Sequence, residues 1–362
     1  MAMTFTRRQI LAQATIAAAV YTLDPHELCC GSSAHAQTAG AESFELKKVG
    51  DGVWAAVAAA RYKVNSNAAV IETNDGLVIV DTHSKPSAAQ ALVKDVQGVT
   101  KKPVKKIIYS HFHWDHTQGT QVFSGAEVIA SERTRQRLAD PNAMNGGIAF
   151  IEKQIAAMPA DIEKIKADIQ KASATDKARL EGNLAQAEAY LAELKTMKPP
   201  LPSRAVSATT TLQEGGREIQ LLMLGRAHTD GDLFTYLPKE KVVVTGDAVI
   251  DWMPFFNDGY PEEWIQTVAA LEKLDVNQVV VGHGDPQPKS HLTYFRGYLT
   301  DLVGGVKKGI AEKMPLADMK TKLAADLAGK YEKPMSKHPL GRYRDRIDAN
   351  VEQVYNKTVK TS

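Results

Sequence analysis

Apolar positions along the chain keep two rhythms. From residue 44 to 83, short β-rich runs alternate with turn signals. Val53-Trp54-Ala55-Ala56-Val57 and Ala68-Ala69-Val70-Ile71 precede the turn Asn74-Asp75-Gly76, and Leu77-Val78-Ile79-Val80 then ends on the carboxylate of Asp81. Lys106-Ile107-Ile108-Tyr109-Ser110 repeats the buried-strand pattern, and residues 86–96 read as a helix between the two. Strands are predicted again near 218–225, 233–238, 241–246 and 278–282. That alternation predicts an α/β fold, a sheet covered by helices.

The second rhythm is helical. Ile151, Ile155, Met158, Ile162, Ile165 and Ile169 are spaced three and four apart, as are Leu180, Leu184, Ala187, Leu191 and Leu194. Such seams predict two helices packed as a hairpin, with a turn near Ser173-Ala174-Thr175 and Asp176 as the N-cap. Pro199-Pro200-Leu201-Pro202 ends the segment abruptly. Residues 148–200 therefore read as a helical insertion that braces two halves of one α/β core, a lid or dimer arm being the alternative. Beyond residue 290 the chain turns helical to its end, and Ile347, Val351 and Val354 suit the inner face of a last helix.

Composition narrows the class. A net charge of +2 over 362 residues gives no basic excess with which to neutralise phosphates, so nucleic acid is not an expected partner. Both cysteines, Cys29 and Cys30, fall in a segment that reads as an address label. Arg7-Arg8, an alanine-rich apolar run from Ile10 to Leu23 and the small-x-small site Ala34-His35-Ala36 predict a twin-arginine-like export signal over residues 1–36, cleaved after Ala36. The apolar run is short for a membrane span, so no stable membrane anchor is expected. Periplasmic or secreted placement suits a mature chain without cysteine, which also excludes thiolate nucleophiles and thiolate metal ligands.

Three of the eight histidines beyond the leader fall in His111-Phe112-His113-Trp114-Asp115-His116, directly after a predicted strand. In an extended segment His111 and His113 point to one side. Imidazoles with a carboxylate suit zinc and other borderline divalent ions, and burying them together without a metal would leave polar groups needing partners. Further candidates stand where other strands end: His228 in Gly225-Arg226-Ala227-His228, Asp247 in Gly246-Asp247-Ala248 and His283 in Gly282-His283-Gly284. There is no internal repeat, no Gly-rich phosphate loop and no Gly-x-Ser-x-Gly elbow.

In order and context this set resembles the metallo-β-lactamase superfamily, from about residue 44 to 290 with 148–197 left out. The resemblance implies an αββα sandwich with a dinuclear metal site. The core halves would be 37–147 and 201–290, and 291–362 a C-terminal helical extension. It further implies that His111, His113 and His228 hold one metal, that Asp115, His116 and His283 hold a second, and that Asp247 bridges them. Asp81 matches a site-supporting aspartate, and the resemblance would give Asp115 the catalytic role of ligating and orienting a hydroxide. The expected cofactors are two zinc ions per chain, with iron or manganese open. A hydroxide held between metals would attack the carbonyl of an ester, lactone, thioester or amide in a small-molecule substrate.

Asp247 resembles the bridging aspartate of glyoxalase II, lactonases and broad hydrolases. A β-lactamase like the all-histidine subclass is the alternative, followed by a sulfur dioxygenase, a phosphodiesterase or a non-catalytic binding protein. The aromatic loop Asp251–Tyr260 follows the predicted bridge, and Trp252 and Phe255 are the first candidates for substrate contact. Phe112 and Trp114 read as packing residues, and Arg226 as a surface arginine. His83, His291 and His338 have no evident ligand context. The oligomeric state is open, since the insertion seam closes on itself or on a second chain.

Overall fold

The computed structural model describes residues 44–59, 66–337 and 342–361. The leader, its cleavage site, both cysteines and His338 lie outside the described residues.

Two sheets form the centre. The first has seven strands in chain order: β1 (Phe44–Gly50), β2 (Val53–Ala58), β3 (Ala68–Glu72), β4 (Leu77–Val80), β5 (Val104–Ile108), β6 (Glu127–Ser131) and β7 (Arg204–Val206). Its first four strands are antiparallel, whereas β4 through β7 run parallel. The second sheet has the order β13-β12-β11-β10-β9-β8. These strands are β8 (Thr210–Glu214), β9 (Arg217–Leu222), β10 (Phe234–Leu237), β11 (Val242–Gly246), β12 (Gln278–Val281) and β13 (Gln287–Pro288). Only β11 and β12 pair in parallel there.

Near-continuous apolar strands mean two buried faces. Val78 and Val80 of β4 join Val242 and Val244 of β11 in the core between the sheets. Their neighbours Leu77 and Ile79 point outward, onto Ala88, Ala89, Leu92 and Val96 of helix α1 (Pro86–Val96). Val243 likewise faces a third core, with Trp264 and Val268 of α6 (Pro261–Leu271) and Phe295 and Leu299 of α7 (Ser290–Ala311). The period of two in each strand thus builds the layers helix, sheet, sheet, helix.

Short helices α2 (Trp114–Thr117) and α3 (Glu132–Ala139) precede the long hairpin α4 (Gly147–Lys171) and α5 (Ala174–Leu194). Ile151, Met158, Ile162, Ile165 and Ile169 are buried, facing Ala187, Tyr190 and Leu194, so the seam closes within the chain. Ser173, not Asp176, is the N-cap of α5. Its Oγ accepts from the Asp176 N–H at 3.2 Å and donates to the Asp176 carboxylate at 2.8 Å. The order Ser-x-x-Asp places the shorter hydroxyl at the cap and the acid at the third helical position. Ser87 Oγ donates to Glu193 at 2.9 Å, and Gln154 links Gln118 of the core to the Tyr190 hydroxyl, so the hairpin braces the first sheet's helices.

Helices α8 (Leu316–Tyr331) and α9 (Tyr343–Thr361) complete the described C-terminal extension. Ile347, Val351 and Val354 are buried in the third core, and Asn350 donates to the Tyr298 hydroxyl at 3.0 Å. Among the described residues no helix is long and apolar enough to cross a membrane.

Candidate metal centre

Strands β4, β5, β11 and β12 deliver their C-terminal ends to one place. After β5 the chain bends at Ser110, His111 and Phe112 before an extended His113 caps α2, and the helix then presents Asp115 and His116. Asp81, just beyond β4, adopts φ of +64°, a left-handed conformation that few residue types other than glycine tolerate and Asp does better than most. Gly246 and Gly282 allow the strand ends to approach. A β-carbon on Gly246 would strike Ser110 Oγ, and one on Gly282 would strike Asp247 Oδ1.

Among the described residues, seven buried side chains meet there in two groups. His111, His113, His228 and Asp247 form one, and Asp115, His116 and His283 the other. Within each group the available donor atoms lie within 4.8 Å of one another. Asp247 touches both: its Oδ1 is 3.1 Å from His116 Nε2, while Oδ2 is 3.1 Å from His283 Nε2 and 3.6 Å from His228 Nε2. Asp115 Oδ2 lies 3.5 Å from His283 Nε2.

The surroundings fix which nitrogen His111, His116 and His113 offer. Asp81 accepts from the Ser110 N–H at 2.8 Å, the Ser110 hydroxyl at 2.7 Å and His116 Nδ1 at 2.8 Å. Its hydroxyl proton so committed, Ser110 Oγ accepts from His111 Nδ1 at 2.9 Å. His111 Nε2 is then left aimed at the centre, buried and without a hydrogen-bond partner, while His116 Nε2 and Asp247 Oδ1 face one another there as a 3.1 Å ion pair without an aligned hydrogen bond. His113 presents the opposite atom. Its Nε2 donates to Asp258 Oδ2 at 2.9 Å, which turns Nδ1 toward His228 Nε2, 2.9 Å away. Orphaned lone pairs on mixed imidazole and carboxylate donors are what a pair of divalent cations requires, so the residues present fit a dinuclear metal site.

Electrostatics agree. Burial, reinforced by His116 and His113, holds His111 well below the ordinary imidazole range, and burial beside His113 holds His228 down to about 3. Burial also opposes charge on His116, but Asp247, Asp115 and Asp81 outweigh it and hold that imidazole well above its ordinary value. Asp247 is kept well below the carboxylate range by His283 and His116, against the effect of burial. Protons thus neutralise carboxylates that cations would otherwise neutralise, and metal binding must release them.

The loop Asp251–Tyr260 wraps this centre. The Asp251 N–H donates to His283 O at 3.1 Å, and the Tyr260 N–H to Ala227 O at 2.8 Å. Trp252 is only 5% exposed, its ring 4.9 Å from that of His283 and tilted by 30°, so it packs behind a candidate ligand. Phe255 is half-buried, 6.5 Å from the rings of both His113 and His228. Phe112 is buried and Trp114 half-buried beside Phe150. Arg226 is exposed and paired with Glu263 while stacking on Tyr260. His291 donates to Ile250 O at 2.9 Å and His83 lies under Phe44, both apart from the two groups.

The family model of the metallo-β-lactamase superfamily matches residues 61–143 and 146–283. The chain belongs to the metallo-β-lactamase superfamily. Among curated relatives, a linear primary-alkylsulfatase from a Pseudomonas strain is 22% identical over 228 residues, 60% of this chain and 41% of that protein. The match therefore spans under half of the alkylsulfatase. A type 2 metallo-β-lactamase from Bacillus cereus is 21% identical over 61% of this chain and 68% of its own length. In fold the chain is similar to a metallo-β-lactamase from Pontibacter korlensis, with a TM-score of 0.52 and 19% identity over 71% of this chain and 99% of the other.

Several residues at this superfamily site carry no signal in the sequence. Asp258 and Asn145 bond one another beside His113. Asn67, 3% exposed, clamps the strand end that carries His283: its N–H donates to Gly282 O at 2.8 Å and its Nδ2 to Val281 O at 2.9 Å and Gly284 O at 2.6 Å. Their partners lie 145, 113 and more than 200 positions away, and no local motif marks them.

Proposed function

We propose that the chain is an exported, zinc-dependent hydrolase that cleaves a carbonyl bond in an ester, lactone, thioester or amide. The observation that carries this reading is the two buried donor groups joined through Asp247. His111, His113 and His228 would hold one ion, Asp115, His116 and His283 the other, and Asp247 would touch both. When bound, two such ions lower the pKa of water and polarise the scissile carbonyl. Asp115 accepts a hydrogen bond from the attacking water and aims its lone pair. Asp81 and Ser110 keep His116 and His111 in the tautomers that face the centre. Phe255 presents an apolar wall to the substrate. Arg7-Arg8 and Ala34-His35-Ala36 support export, and the N-terminus of protein recovered from the periplasm would then be Gln37.

A β-lactam substrate is the second reading, favoured by the likeness to the Bacillus cereus enzyme and by the histidine-rich donor set. The test is hydrolysis by stripped and zinc-reloaded protein across carboxylic esters, lactones, thioesters, β-lactams and alkyl sulfates. Turnover of a carbonyl class, lost on stripping and restored by zinc, is the expected result. Preferential β-lactam turnover selects the second reading. Full activity in stripped protein, or turnover of alkyl sulfates alone, overturns the first.

A further inference from the structure

Two segments far apart in the chain converge on one loop carboxylate beside the metal centre. The first is the approach to the hairpin, where the Asn145 side-chain amide donates to Asp258 Oδ2. The same short stretch is pinned to the metal-bearing motif, for the Trp114 N–H donates to Asn145 O at 2.7 Å. Gly146 packs so closely on the Phe112 carbonyl that a β-carbon there would collide with it. The second segment is the last helix. Val351 and Val354 seat α9 in the core, and one turn later Lys357, half-buried, donates to the Asn257 carbonyl at 2.8 Å. Asn257 immediately precedes Asp258, whose Oδ2 accepts from His113 Nε2 at 2.9 Å.

We propose that Asp258 is a positioning residue that sets the tautomer and angle of His113, and that the hairpin approach and the C-terminal helix hold Asp258 in place through Asn145 and Lys357. The inference rests on reading His113 as a metal ligand and is independent of which bond the enzyme cleaves. A carboxylate can only accept from Nε2–H, so it commits the Nδ1 lone pair to the centre. The hairpin approach and the C-terminal helix thereby act on the group that contains His113 and touch neither His116, which Asp81 orients, nor the rest of its group.

The test is a competitive chelator titration of zinc on the full chain, wild type against Asp258→Asn, Asn145→Ala, Lys357→Met and Lys357→Arg. Cobalt substitution gives an absorption readout of ligand geometry. Asp258→Asn is expected to weaken one of two zinc sites by about 10–100-fold and to alter the cobalt spectrum, the second site being unchanged. Lys357→Met and Asn145→Ala should weaken the same site less, and Lys357→Arg should restore it. Lys357 lies at the periphery, so its variants report even where Asp258→Asn fails to fold. Wild-type affinity at both sites in Asp258→Asn, or equal weakening of both sites in Lys357→Met, overturns the proposal. A wild-type chain that binds no zinc overturns the metal reading beneath it.

Discussion

His116 and His113 belong to one short motif, and each is oriented by an aspartate, yet the two aspartates live in different surroundings. The side chain of Asp81 is 3% exposed and accepts three hydrogen bonds at the end of a core strand. That of Asp258 is 32% exposed, on a loop held by Asn145 and Lys357. The first is fixed by a strand end of the sandwich; the second depends on Asn145 and on Lys357 of the last helix. His116, and His111 through Ser110, are thus oriented from the sheet itself, whereas His113 is oriented from a surface loop.

The sharpest way to break this contrast is to remove each carboxylate. Asp81→Ala leaves Ser110 and His116 with buried unpaired groups and should cost about 3–5 kcal/mol in urea unfolding of the stripped chain. Asp258→Ala, with water at hand, should cost roughly 1 kcal/mol or less. Equal costs would erase the distinction.

The buried His83 supplies a pH test of the same inner region. Burial, reinforced by His116, depresses its pKa to about 3. Between pH 6.5 and about 3 the unfolded chain holds a proton on this group that the folded chain lacks, so stability falls as pH falls. The contribution is up to about 1.4 kcal/mol per pH unit, and His83→Leu should remove that part of the slope in acid unfolding curves.

Smaller effects sharpen the picture. Asn67→Ala deletes the side-chain clamp beneath His283 and should cost about 1–3 kcal/mol, again by urea unfolding. Tyr190→Phe removes the hydroxyl that pairs with Gln154 in the hairpin and should cost about 0.5–1.5 kcal/mol while leaving zinc stoichiometry unchanged.

Legibility in the sequence follows the same divide. Leu77–Val80 and Val242–Gly246 announce themselves as strands buried on both faces, and the residues at their ends mark the centre. Strand β8 gives no such signal, because Thr210–Glu214 offers only Leu212 to the core, and β7 is three residues long. The hairpin seam is visible in α4, but the buried Tyr190 lies off the expected row in α5, where its hydroxyl pairs with Gln154. Asp258 and Asn67 are invisible for a different reason. Their roles exist only once residues far apart in the chain are folded together.

If the seven side chains form one two-metal centre, the chain takes up two metal ions together. Calorimetric titration of zinc into the stripped full chain tests it most directly. Two zinc ions per chain, bound with release of protons and more weakly as pH falls, is the predicted result. Binding of one ion or none, or binding that survives replacement of Asp247 at both sites, would contradict it.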